Sequence, residues 1–275
     1  MANSAQPALP DYDLPPVIEV VCGVQFAPLK GFQATAFGSL WQRFKADYPT
    51  CEQQAPLAQV VERLGEPIAE EQRVEWSNVP PLPRMFFIHK TPCWLVQVQS
   101  DRFLHNWRKL QDTDTYPHFP EVQKRFWYAW RQFLEFCRED RIEPPQINQL
   151  EVTYINHIGQ AEGWDGLGTI GRVFPDISWR AERSFLPSPE SVVWKSSFLL
   201  PNQAGRLHVS LRHAIRRQDM KPVLLCELTA RGIPNTVDEK AIREWFLLGR
   251  EWIVRGFADL ADERVQTDVW KKKKV

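Results

Sequence analysis

The order of apolar and polar positions divides the chain into strand-like and helix-like stretches. A β-branched run at 17–26, placed directly after Pro15-Pro16, predicts a strand buried on at least one face. From Phe32 the apolar positions Phe32, Ala36, Leu40 and Phe44, with Phe37, Trp41 and Tyr48 beside them, recur at helical spacing and predict a helix ending near Pro49. Between 57 and 99, short apolar runs alternate with Pro and Gly. The runs Val74-Glu75-Trp76, Met85-Phe86-Phe87-Ile88 and Trp94-Leu95-Val96-Gln97-Val98, with a turn at Thr91-Pro92, predict an antiparallel sheet, and a further strand ends near Phe103. Pro117 and Pro120 open a helix with Val122, Phe126, Ala129, Trp130, Phe133 and Cys137 on one face. Trp127 and Leu134 fall on its other side, which puts this helix between two layers.

The second half repeats the order in shorter form. A strand is expected at 149–158, a short or broken helix in the glycine-rich 163–174, and three antiparallel strands at 192–200, 206–215 and 223–231. Turns fall at Pro201-Asn202 and near Gln218-Asp219. Thr236-Val237-Asp238-Glu239 reads as a capping box, opening a helix that buries Ile242, Trp245, Phe246, Gly249, Trp252, Ile253, Phe257 and Leu260.

This order defines an α+β class: two pseudo-repeated lobes, each an antiparallel sheet packed on a long aromatic-rich helix. The expected division is a flexible arm at 1–14, a first lobe at 15–143, a second lobe at 144–270 fused to the first, and a basic tail at 271–275. The strand phrases at 18–26 and 150–158 echo each other, but their register stays open. Aligning Pro15-Pro16-x-Ile18 with Pro144-Pro145-x-Ile147 requires an offset different from the one that matches Glu19 with Glu151.

Charge narrows the picture. The 34 basic and 34 acidic side chains cancel, so no global field favours nucleic acid or an anionic membrane. Apolar runs are too short to span a bilayer and the start lacks a signal pattern, so a cytoplasmic protein is expected. Cys22, Cys51, Cys93, Cys137 and Cys226 stand singly, which predicts small buried hydrophobes rather than disulfides or a zinc site. The glycines at 163–171 lack the Lys-Ser/Thr ending of a phosphate loop, the histidines lack metal spacing, and no Ser sits in a nucleophile elbow. No metal and no cofactor is implied.

Four constellations carry candidate chemistry, each with a plain structural alternative. Asn106 and Trp107, placed just after a strand, pair an amide with an indole that can hold a ligand; they can equally turn the chain and cover the core edge. Glu19 and Glu151 occupy related strands and can form a carboxylate pair, or each can face solvent or an Arg. Tyr154, Asn156, His208 and Arg212 can line an anion pocket, Arg212 by its guanidinium fork, or simply belong to an exposed polar sheet face. The bases at 212–217 and the lysines at 271–274 make contact with nucleic acid possible but not favoured.

The strings Leu14-Pro15-Pro16-Val17-Ile18-Glu19-Val20, Phe103-Leu104-His105-Asn106-Trp107, Tyr116-Pro117-His118-Phe119 and Glu151-Val152-Thr153-Tyr154-Ile155-Asn156 resemble a sporadically distributed bacterial family of similar length. Glu251-Trp252-Ile253-Val254-Arg255-Gly256-Phe257 is similar to its closing helix, though that family commonly has His where this chain has Arg250. The resemblance implies one compact unit and transfers no activity. A patchy distribution implies carriage on mobile or defence-related gene clusters.

The favoured reading is a non-catalytic binding protein, possible as an accessory or neutralising component of a bacterial defence or toxin-related cluster, with a protein partner or a second copy as its target. Trp107, Trp127, Trp164, Trp179 and Trp245 are its candidate anchors. The alternative is an enzyme or small anion receptor using a cleft between the lobes, where Glu19, Glu151, Tyr154, Asn156 and Arg212 converge.

Overall fold

The computed structural model describes residues 8–65, 81–179 and 184–274. Its centre is the pairing of two strands, β1 (Val17–Phe26) and β6 (Ile147–Ile158), which run antiparallel with Val20 opposite Tyr154 and Gly23 opposite Glu151. Outward from β1 the sheet continues through β5 (Arg102–Arg108), β4 (Trp94–Gln99), β3 (Arg84–Ile88) and β2 (Thr50–Gln54). Outward from β6 it continues through β9 (Lys221–Gly232), β8 (Arg206–Arg216) and β7 (Val193–Leu199). Among the described residues all nine strands belong to one antiparallel sheet, which the segments 15–143 and 144–270 share. The expected strand at Val74-Glu75-Trp76 lies outside the described residues.

Alternation along the strands gives the sheet two unlike faces. Val20, Cys22, Val24 and Phe26 of β1 point into the main core, as do Phe103 and Trp107 of β5, Leu150 and Val152 of β6, and Leu207, Val209 and Leu211 of β8. Three helices cover this face: α1 (Ala34–Phe44), α2 (Phe119–Glu139) and α3 (Glu239–Leu260). The core under α2 is aromatic, with Phe103 5.0 Å from Phe133 and 5.4 Å from Trp130, and Phe26 5.9 Å from Phe133. Trp127, on the flank of α2, meets Phe246 of α3, so α2 is covered on two sides there, while Leu134 is left 37% exposed.

Three local expectations need correction. Asn106 and Trp107 do not follow a strand; both lie within β5, because alternation continues unbroken through Arg108. The N-cap of α3 is Asp238 rather than Thr236: the Asp238 carboxylate accepts from Ala241 N at 3.0 Å, and the Thr236 hydroxyl donates to that carboxylate at 2.8 Å. The described parts of the arm and the tail, 8–14 and 271–274, are not free of the body. Tyr12 bridges Lys272, Leu14 N donates to Trp270 O, and Lys273 Nζ lies 2.8 Å from the Asp11 carboxylate. Buried Tyr12 and Trp270 meet edge to face at 6.0 Å, an aromatic contact that a polar arm and a lysine run do not advertise. The glycine-rich stretch forms a 3-10 helix at Leu167–Arg172, and the five cysteines are free, four of them buried. No described helix is long and apolar enough to cross a membrane.

Candidate functional site

On the helix face, where β1, β6 and β9 meet between the start of α2 and the middle of α3, a cavity of about 410 Å³ opens beneath residues 9–12. Its volume falls in the range of small-molecule sites, ~300–1,000 Å³. Most of the lining is apolar, including Val17 of β1, Leu228 of β9, and Ile253, Val254 and Phe257 of α3. The polar groups are few: Tyr116 and His118 before α2, Tyr154 and Asn156 of β6, Asp11 and Tyr12 of the roof, the Tyr12 hydroxyl being spent on Gln266, and Arg250 of α3.

Each polar group is placed by its element. Tyr154 follows the inward alternation of β6, and its hydroxyl lies 2.8 Å from that of Tyr116. Burial pushes the Tyr116 phenol up to about 12 and the Tyr154 phenol well above its ordinary 10, so both stay protonated at neutral pH. In such a pair only one O–H is spent on the other. Asn156 donates from Nδ2 to Cys226 O at 3.2 Å. His118 occupies the N-cap position of α2 at φ 62° and ψ 152°, an uncommon conformation for a residue with a side chain, and its ring lies 5.3 Å from Tyr116. Arg250 stands i, i+3, i+4 and i+7 with Ile253, Val254 and Phe257, a lone cation on an apolar stripe. Its guanidinium lies 5.4 Å from the Phe119 ring, its Nε is buried, and among the described residues it has no hydrogen-bond or ion-pair partner.

The opposite face of the sheet carries a different set. Asn106 Nδ2 donates to Glu19 Oε1 at 2.5 Å, Gln97 Nε2 donates to Asn106 Oδ1 at 2.9 Å, and Arg84 Nη1 donates to Gln97 Oε1 at 2.9 Å. Burial raises the Glu19 carboxyl above its ordinary value, partly offset by Asn106. Further along this face, residues 57–63 run as a strap over the strands and bond to side chains rather than to another strand. Gln99 pairs with both N and O of Leu57, Gln149 accepts from Glu62 N at 2.7 Å and donates to Val60 O, and Arg102 donates to Ala58 O at 2.9 Å. Gln25, Gln99 and Gln149 are all buried, so strand glutamines take the place of a missing ladder.

The candidate residues therefore separate. Glu19 and Asn106 touch, but Glu151 pairs with Arg231 at 2.8 Å, and the register sets it four residues along the strands from Glu19, ~13 Å away at strand rise. Tyr154 and Asn156 enter the cavity on the other side of the sheet. Arg212 points outward from β8, exposed, and joins neither group. Trp107 is a core residue, 5.5 Å from Tyr116, and does not line the cavity. Of the candidate anchors, Trp107, Trp127, Trp164 and Trp245 are buried in the core, and Trp179 donates from Nε1 to Leu167 O at 2.6 Å.

His208 lies between Ser197, 2.9 Å from Nδ1, and Glu62, 2.5 Å from Nε2. The order serine, histidine, carboxylate is that of a nucleophilic triad. Here Ser197 is the cross-strand neighbour of His208 in the β7–β8 register, and Arg206 shares the Glu62 carboxylate at 3.0 Å. Glu62 is held below the ordinary carboxylate range by His208 and Arg206 against the opposing effect of burial. The cluster's evident work is to anchor the strap on β8.

Comparison with known proteins gave no match, neither to a family model nor to a curated protein.

Proposed function

We propose that this is a binding protein and that the cavity beneath residues 9–12 takes a small molecule. The observation that carries the reading is the lining itself: an apolar chamber of about 410 Å³ with a few convergent polar groups, drawn from both 15–143 and 144–270. The catalytic version of the reading loses support because Glu19, Glu151, Tyr154, Asn156 and Arg212 do not share a site. Strand order outward from β1 and β6 supports the duplication of one unit, with the cavity over their junction.

A ligand-observed NMR screen of a fragment library tests this against Val254→Trp, in which an indole fills the chamber. Hits lost in that variant support the proposal; a screen without hits, or hits that survive Val254→Trp, refute it.

A protein partner, including one encoded in a defence or toxin-related cluster, is the second reading. It is supported by the sheet edge at β7, where Val193, Phe198 and Leu199 are 68%, 39% and 54% exposed. Pull-down and size exclusion test it, and a strict monomer that captures nothing removes it.

A further inference from the structure

Resting on the small-molecule reading, we propose that the ligand is an apolar monocarboxylic acid whose carboxylate is gripped by Arg250 and the Tyr116–Tyr154 hydroxyl pair. A half-buried guanidinium whose Nε is shut off from water at a mostly apolar chamber is costly unless a partner satisfies it. Of the other arginines with a buried Nε that has no partner, Arg84 and Arg102 each spend another guanidinium nitrogen on a glutamine, at 2.9 Å to Gln97 and 3.0 Å to Gln25, and Arg108 lies outside the cavity lining. Arg250 spends none among the described residues. Glu251, the next residue on α3, is already committed, 2.8 Å from Arg255. Asp11, the one carboxylate in the lining, is bound to Lys273 in the clasp that closes the roof.

The charge count in the chamber decides the ligand class. With Asp11 offset by Lys273, Arg250 is the one uncompensated fixed cation of the lining, and it suits one negative charge. The tyrosine pair adds a neutral donor, since one of its two O–H groups is left over and burial keeps both protonated. A phosphate dianion would lack a second cation and would put its remaining oxygens against Ile253, Val254 and Phe257. A carboxylate on an aromatic or aliphatic body matches both ends of the chamber: the head at Arg250, and the body among Val17, Leu228 and Phe257.

The test is isothermal titration calorimetry of the whole chain with phenylacetate and octanoate, their neutral amides phenylacetamide and octanamide, and inorganic phosphate, repeated on Arg250→Gln, Tyr116→Phe and Val254→Trp. Circular dichroism confirms that each variant is folded. The expected result is acid binding about tenfold or more tighter than the matching amide, the difference vanishing in Arg250→Gln and shrinking in Tyr116→Phe. Acids and amides that bind equally, or phosphate that binds better than both, overturn the carboxylate while leaving the chamber as a binding site. Absence of binding by every compound, or binding that persists in Val254→Trp, overturns the chamber as well.

Discussion

Acid should destabilise this protein through His105. The imidazole is fully buried on β5, with the Tyr48 hydroxyl 3.2 Å from Nε2 and the Trp94 ring 5.6 Å away. Burial, reinforced by Arg125 and His89, brings its pKa down to about 3 from an ordinary 6.5. The folded state therefore keeps the ring neutral under conditions where the unfolded chain protonates it. The stability this group contributes is fully present above pH 6.5 and is lost as pH falls from there toward 3. Within that window each pH unit removes about 1.4 kcal/mol, so acidification to pH 5 removes about 2 kcal/mol. Against a total of about 5–15 kcal/mol for a typical domain, that loss is large.

Urea unfolding followed by tryptophan fluorescence at pH 7 and pH 5 measures it, on the natural chain and on His105→Phe. Phenylalanine fills the slot beside Trp94 without titrating, and every other titration is common to both proteins. The natural chain should lose about 2 kcal/mol more than the variant between the two conditions. Equal losses would refute the reasoning, as would an NMR titration of His105 in the folded protein with its midpoint near 6.5.

Two further outcomes concern the open face. Gln149→Ala leaves Glu62 N and Val60 O without the amide that now meets them, and should cost about 1–2 kcal/mol while hastening limited proteolysis within 57–65; unchanged cleavage there would count against the strap. A fluorophosphonate should leave Ser197 unmodified, as shown by intact-mass measurement against Ser197→Ala, because a cross-strand contact with a carboxylate shared by Arg206 does not make an activated nucleophile; labelling of Ser197 would reverse that assignment.

Most of the architecture was legible because it rests on periodicity. The strand at 17–26 and the aromatic stripe of α2 are local patterns, and a local pattern survives whatever packs on it. What escaped was nonlocal. Gln97, Gln99 and Gln149 stand at alternate strand positions that read as solvent-facing, yet all three are buried, two of them under a strap from elsewhere in the chain. Trp107 looked like a ligand platform because its neighbours are polar, but β5 sends Trp107 and Asn106 to opposite faces. Arg250 is legible as a charge within an apolar helical stripe, and it is also where the chain departs from the resembled family. The tyrosine pair joins a loop to a strand 38 residues away, which no spacing rule anticipates.

The sheet's own thickness decides how these groups can act. Glu151 and Tyr154 lie on the same strand, but alternation sends them to opposite sides of the backbone, so a ligand in contact with one is screened from the other. A mechanism that draws on both would require that strand to leave the centre of the sheet, where it is bonded to β1 and β9 along its length. The carboxylates are thus tied to Asn106 and Arg231 as parts of a scaffold, and the chamber proposed to take a ligand lies on the helix side. There Arg250 keeps a charge unspent in a place where a methionine of similar length would cost less to bury. The proposed carboxylate is the partner that a ligand arriving from outside supplies to that charge.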